Sequence, residues 1–168
     1  FNDLFLEWGV VFKENELLAD PSLTLRGALN PGDDGITFLP VLGCDENCVN
    51  DEYNLMKGFN NLVFIFPGSL KFNGKKNVDY YPILKTTQIG NTYLKNNELI
   101  RDPNKIWNSF TNGNHEKTLG ALLRIKNGTK CLESDKEIHC VKKNDSFVFI
   151  IADTDFIADD IAFEESIR

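Results

Sequence analysis

Hydrophobic and polar positions follow two different periods along this chain, and the clearest pattern lies near its C-terminus. The unbroken apolar run from Phe147 to Ala152 predicts a strand that is buried on both faces, as in a parallel sheet. From Phe156 to Ile167 the apolar residues recur with helical spacing, and Asp155 occupies the N-cap position. A buried strand followed directly by a helix is the repeating unit of an α/β fold.

Further apolar runs extend this prediction to a whole sheet. We expect a single three-layer α/β domain whose central sheet contains Asn61–Phe66, Leu119–Ile125 and Phe147–Ala152, with the helix Phe156–Ile167 packed on one face. Asp79–Thr87 reads as another strand, which its internal proline places at a sheet edge or at the start of the strand.

The remaining segments are predicted from helical stripes and from turn residues. Residues 1–8 carry an amphipathic stripe, and Gly9 is a suitable left-handed cap for that helix. Glycines and prolines mark Asn30–Gly43 as a long loop, and the polar stretch Asn91–Lys117 is predicted to be one long surface excursion. Because the chain opens inside a helix without a cap, we expect residues 1–168 to be one domain of a longer protein.

Composition and charge exclude several classes of protein. The net charge of −7, with no basic tract, argues against binding to nucleic acid or to an anionic membrane surface. Apolar residues make up 42% of the chain and 13 of them are Phe, which favours a packed core over disorder. The longest apolar runs are far too short to span a bilayer.

The four cysteines form two local pairs in hydrophilic sequence. Cys44 and Cys48 flank three polar residues, and Cys131 and Cys140 flank a turn-like stretch that we expect to form a ribbon-like loop. We predict the disulfides Cys44–Cys48 and Cys131–Cys140, which imply an oxidising compartment. Two alternatives stay open, namely four free thiols and a zinc site made of all four thiolates.

Two carboxylates at the end of the predicted last strand are the candidate site residues. Asp153 and Asp155 stand where α/β sheets bind ligands, and two carboxylates can hold Mg²⁺ or Ca²⁺. A metal-dependent hydrolase is therefore one hypothesis. The simpler interpretation is structural, with Asp155 capping the helix and Asp153 accepting backbone N–H groups. We therefore predict neither a bound metal nor another cofactor.

Other chemistry has little support in the sequence. Gly43-Cys44 lacks the second glycine of a nucleophile elbow, and the two histidines, His115 and His139, stand in polar segments. A Cys–His pair at Cys44 or Cys140 is the remaining catalytic hypothesis. Aromatic residues in polar sequence suit a binding module instead; they are Tyr80, Tyr81, Tyr93, Trp107 and Phe110. Burial in the core of this Phe-rich chain is the simpler interpretation, above all for Tyr81 with its apolar neighbours.

Several short motifs resemble one family. They are Phe5–Val10, Leu17–Pro21, Lys57–Phe59, Leu62–Gly68, Tyr81–Thr87, Leu119–Leu123 and, with the most specific pattern, Phe149–Asp159. In this order they resemble the extracytoplasmic auxiliary domains of ABC-type transport systems, the gliding-motility GldG-like proteins. Those domains are similar to the N-terminal domain of an intraflagellar-transport protein.

The resemblance implies a flavodoxin-like or class I glutamine-amidotransferase-like sandwich that has no catalytic triad and here lacks its first strand. It also implies a membrane-anchored parent protein and a periplasmic or other extracytoplasmic location. The expected function is a non-enzymatic interaction or ligand-recruiting module whose partners are transporter membrane subunits or other proteins of the complex. A periplasmic domain that binds a small ligand is the further alternative.

Overall fold

The computed structural model describes residues 2–27, 36–50, 52–53, 62–96, 103–127, 129–134, 137–142 and 144–153. In these ranges the helices are α1 (Asn2–Glu7) and α2 (Pro103–Ser109). The strands, in chain order, are β1 (Val10–Phe12), β2 (Glu16–Ala19), β3 (Thr24–Gly27), β4 (Ile36–Cys44), β5 (Leu62–Ile65), β6 (Leu70–Phe72), β7 (Val78–Lys85), β8 (Asn91–Leu94), β9 (Thr118–Ile125), β10 (Thr129–Ser134), β11 (Glu137–Lys142) and β12 (Ser146–Ile151).

Every strand pairing in the described part of the chain is antiparallel. The main sheet has β9 at its centre, with β7 along one edge of β9 and β12 along the other. Beyond the end of β12, β6 pairs with the first residue of β9, and β1 pairs with β6. Separate small sheets are formed by β3, β4 and β5, by β2 and β8, and by the hairpin of β10 and β11.

The prediction of a three-layer α/β sandwich is wrong, because the described chain is mostly antiparallel sheet. Of the three strands assigned to one central sheet, β9 and β12 are antiparallel neighbours, whereas β5 belongs to the small sheet with β4. Phe147 and Phe149 on β12 are 63% and 45% exposed, so the apolar run is not buried on both faces. The predicted helix Phe156–Ile167 lies outside the described residues.

Two segments that were predicted as loops contain regular structure. Ile36–Cys44 is a strand that pairs with both β3 and β5, although Pro40 and Gly43 lie within it. A Cβ atom on Gly43 would come within 2.5 Å of the Leu25 side chain, so a larger residue would require Leu25 to shift. Asn91–Lys117 contains β8 and α2, and the Ile106 side chain of α2 is only 1% exposed. Pairing between distant segments has therefore overridden the local turn signals.

The main sheet is apolar on both faces, and each face carries its own core. Leu122 of β9 points to the face where Tyr81 and Ile151 meet the buried residues of the first cluster. Its neighbour Leu123 points to the opposite face, together with Val148 and Tyr80. The buried members of the first cluster are Leu18, Leu23, Leu42, Cys44, Cys48, Phe64, Ile83, Leu84 and Leu119. Those of the second are Val10, Leu70, Val78, Ala121, Leu123, Ile150 and Ala152.

The opening helix ends as its sequence predicts. Phe5 and Trp8 are half-buried and pack against the second cluster, whereas Leu4 and Leu6 are exposed. Gly9 has a φ of 76°, and its N–H bonds to the carbonyl of Leu6 at 3.0 Å. Glycine takes this left-handed conformation without steric cost, so the chain can turn directly from α1 into β1.

A buried carboxylate joins the end of β2 to the end of β7. Asp20 is fully buried, and its Oδ2 accepts hydrogen bonds from the backbone N–H of Thr87 at 2.7 Å and from the Thr87 hydroxyl at 2.8 Å. Its Oδ1 accepts the N–H of Ser22 at 2.8 Å, and its carbonyl accepts the Thr24 hydroxyl at 3.0 Å. These hydrogen bonds offset the free-energy cost of removing a carboxylate from water.

We expect Asp20→Ala to lower the free energy of unfolding by about 3 kcal/mol, since it leaves buried donors without an acceptor. Asp20→Asn should lower the free energy of unfolding by nearly as much, because the NH₂ group of its amide would face the backbone N–H of either Ser22 or Thr87. The measurement is urea denaturation. Asp145→Ala, which breaks an exposed ion pair with Arg124 at 2.7 Å, is the control and should cost less than about 1 kcal/mol. Equal losses in the two alanine variants would contradict this role for Asp20.

The third core cluster yields a pH-dependent prediction. Tyr93 packs against Ala19, Leu39 and Ile106, and its hydroxyl is buried without a hydrogen-bond partner among the described residues. Burial raises the pKa of Tyr93 above its ordinary value. The unfolded chain therefore ionises first, and the stability that the neutral ring contributes is present below pH ~10 and is lost as the pH rises above it.

Tyr93→Phe should raise the free energy of unfolding at neutral pH by about 1 kcal/mol, because an unsatisfied polar group is removed. The variant should also lose less stability than the wild type between neutral and alkaline pH. Denaturation curves at a series of pH values measure both effects. A parallel decline of the two proteins above pH ~10 would show that Tyr93 does not titrate differently in the folded state.

Candidate functional site

The first pair of cysteines is oxidised, and its sulfurs lie in the core. The Cys44–Cys48 disulfide joins residues whose Cα atoms are 5.1 Å apart, and both residues are buried. Between them, Asp45 Oδ1 accepts the N–H of Asn47 at 2.8 Å, which forms a tight polar turn. The Cys48 carbonyl accepts the N–H of Lys85 at 2.8 Å, so this loop is fastened to β7.

The second pair of cysteines lies in the hairpin of β10 and β11, which agrees with the predicted ribbon. Its register places Cys131 directly opposite Cys140. Directly opposed residues in antiparallel strands have Cα atoms about 4.5 to 5.5 Å apart, a spacing that a disulfide can bridge. The Cys131–Cys140 bond stays a prediction, and peptide mapping of the unreduced chain tests it. A zinc site made of all four thiolates is incompatible with the Cys44–Cys48 bond.

Asp153 fastens the end of β12 to β5. Its Oδ2 accepts the backbone N–H of Ile65 at 2.8 Å, and the residue is half-buried. The acceptor role is the one that the structural interpretation assigns to Asp153, although the donor belongs to a distant strand rather than to a following turn. Asp155, the second candidate, lies outside the described residues.

The described residues contain no group of three or more His, Cys, Asp or Glu side chains that could hold a metal ion. His115 is exposed. Its Nδ1 lies 2.6 Å from Asn114 Oδ1, and its Nε2 lies 2.8 Å from Lys117 Nζ. Cys44 cannot act as a thiolate while it is bonded to Cys48. The side chains of Cys140 and His139 are outside the described part of the structure.

A cavity of about 650 Å³ lies where the main sheet meets β2, β5 and Lys95, the residue that follows β8. It is lined mainly by apolar side chains that come from distant parts of the sequence. The apolar lining residues are Phe5, Phe12, Leu17, Ile65, Phe66, Leu70, Ile150, Ile151 and Ala152, and Gly68 completes this part of the wall. The charged lining residues are Glu14, Glu16, Lys95 and Asp153. This volume falls within the range of small-molecule binding sites in proteins.

One wall of the cavity is held in an unusual backbone conformation. Phe66 has a φ of 54°, which is rare for a bulky side chain, and its N–H bonds to the Pro40 carbonyl at 2.9 Å. Two residues later, the Gly68 N–H bonds to the Ala152 carbonyl at 2.7 Å. A Cβ atom on Gly68 would come within 2.3 Å of the Phe12 ring, so any other residue at this position would displace that ring from its present place at the cavity.

The aromatic residues considered for a binding module do not lie together on one surface. Tyr80 stacks on Phe72 with ring centroids 4.8 Å apart, and Tyr81 meets Tyr53 edge-on at 5.4 Å. Tyr93 and Phe110 pack in the third core cluster, and Trp107 is 39% exposed. Of the candidate residues named from the sequence, Asp153 is the one that lines the cavity.

The described part of the chain is thus an antiparallel β domain with a disulfide-fastened loop and an apolar cavity at the junction of its sheets. The chain belongs to the family described as ABC-type uncharacterized transport system, whose model matches residues 1–168. Membership of this auxiliary family supports a transport-associated accessory role. Searches of curated proteins and of solved structures found no match. Among the described helices, none is long and apolar enough to cross a membrane.

If Asp153 is structural, Asp153→Ala should lower the free energy of unfolding by about 1 to 2 kcal/mol, because the Ile65 N–H loses its acceptor. Asp153→Asn should lose less, since its amide oxygen still accepts that bond. We also expect millimolar Mg²⁺ or Ca²⁺ to leave the melting temperature of the wild type unchanged. An ion-dependent rise that disappears in Asp153→Asn would instead support a cation site.

Proposed function

We propose that this chain is a non-enzymatic, extracytoplasmic interaction domain of an ABC-type transport complex. The family match over residues 1–168 carries the proposal, because it places the whole chain among auxiliary components of transport systems. The resemblance to the gliding-motility GldG-like proteins favours a membrane-anchored parent, whose membrane-embedded transport subunits are the proposed partners. The Cys44–Cys48 bond supports the extracytoplasmic location, since such bonds persist in oxidising compartments.

The exposed face of β12 is the contact surface that we assign to these subunits. Phe147 and Phe149 project from the same face of this strand and are 63% and 45% exposed. Large aromatic side chains at a surface are the usual anchors of protein interfaces. They lie beside Leu122 and Arg124 of β9, so an apolar patch with a charged rim would face the partner.

Affinity purification of the full-length parent from its membrane tests this function. Transport subunits should copurify with the wild type and should be reduced at least about tenfold with the double variant Phe147→Ser/Phe149→Ser, since the loss of only about 1.4 kcal/mol of binding free energy weakens affinity tenfold and aromatic anchors contribute this much or more. Leu4→Ser/Leu6→Ser is the matched control, because these leucines are also exposed, at 41% and 53%, but lie on α1. The control should retain the subunits.

Two outcomes would contradict the proposal. The absence of transport subunits from the wild-type preparation would count against the transport association itself. Equal recovery with both double variants would preserve the association but would remove the β12 face as the contact surface. Thermal denaturation of each variant verifies that it is folded before recovery is compared.

A further inference from the structure

We propose that the cavity between the sheets binds an uncharged, largely apolar small molecule, such as a medium-chain alcohol. The inference concerns the isolated chain and does not depend on the transport association proposed above. It starts from shape and volume: the space is a cleft of about 650 Å³, partly open to solvent and lined mainly by apolar side chains. Small-molecule sites in proteins are concave, mostly apolar and of this size.

The walls explain why the ligand would be apolar. Nine of the lining side chains are apolar, and three of these are the phenylalanine rings of Phe5, Phe12 and Phe66. Water in such a space finds few polar partners, so an apolar ligand that displaces it gains free energy in proportion to the buried surface.

The backbone conformation of Phe66, which lines the cavity, independently supports a binding site there. A bulky residue with a φ of 54° costs free energy, and such residues persist in proteins where a site requires them. Here the conformation directs the chain from β5 through Gly68 into β6, with the rings of Phe12 and Phe66 both at the cavity.

The charged groups at the cavity explain why the ligand would carry no net charge. Glu14 and Lys95 are exposed, which places them at the rim, and Glu16 forms an ion pair with Lys13. Lys13 is not itself a lining residue, so the cavity is lined by three carboxylates and one ammonium group, and this excess of negative charge disfavours an anionic ligand such as a fatty acid. A cationic head group would have to lose its water beside apolar walls, and two of the carboxylates are already engaged, Glu16 with Lys13 and Asp153 with the Ile65 N–H.

Fluorescence of the uncharged dye N-phenylnaphthylamine tests the inference on the whole chain. The dye should bind, and decanol should displace it at concentrations about tenfold lower than decanoate or decylammonium require, because the charged groups must be desolvated. A folded wild-type chain that does not bind the dye would overturn the proposal. Stronger competition by either charged compound would also overturn it.

Variants at Ile65 test the location of the site. Ile65 is a half-buried lining residue, so Ile65→Trp should fill part of the cavity and weaken dye binding about tenfold. Leu94→Trp, at a leucine that is 65% exposed and is not among the lining residues, is the control and should leave binding unchanged. Equal dye affinity in the two variants would place the binding elsewhere and overturn the proposal.

A second variant keeps the test decisive if Ile65→Trp does not fold. Ile65→Ala enlarges the cavity, so it should shift the competition in favour of dodecanol over decanol relative to the wild type. An unchanged order of the two alcohols would contradict the assignment. Melting temperatures measured with and without decanol provide an independent readout, because a ligand that binds only the folded state raises the melting temperature.

Discussion

The pairing of β9 with a partner on each edge is the constraint on which the rest of the fold depends. On one side Leu122 faces Tyr81 of β7, and on the other it faces Phe149 of β12. The side chains of a strand alternate between faces, so this register fixes which residues enter each core. A shift of one residue would exchange the two faces of the sheet and separate Leu123 from its cluster. Both faces are apolar at β9, which is why the sheet supports two cores.

The Asp20 carboxylate connects this sheet to the cavity. β2 begins at a residue that lines the cavity and ends immediately before Asp20, whose hydrogen bonds to Thr87 hold that end against the end of β7. Two segments that resemble family motifs, Leu17–Pro21 and Tyr81–Thr87, therefore meet at one buried polar contact. Their sequences do not suggest it, because the contact joins residues that are 67 positions apart in the chain.

The sequence predicts several strands of this fold but not how they pair. Apolar runs identified β5, β7, β9 and β12 as strands, since burial leaves a local signal. The same runs carry no information about strand direction or partner, so an antiparallel sheet was mistaken for a parallel one. β4 was missed because Pro40 and Gly43 are turn residues in most contexts, and α2 because the fully buried Ile106 stands in a mostly polar stretch of sequence. The cavity was missed because its walls extend from Phe5 to Asp153.

Asp153 lines the cavity for a reason different from the one for which the sequence singled it out. The rule that ligands bind at the ends of strands rests on parallel sheets, in which the ends of several strands converge at one edge. In this antiparallel sheet β12 ends beside β5, and the Asp153 carboxylate accepts the N–H of Ile65. The acid that was considered as a metal ligand, and preferred as a structural acceptor, thus holds together two strands whose residues line the cavity. The chemistry of that space is consequently determined by its apolar side chains, and the carboxylate contributes by fixing their positions.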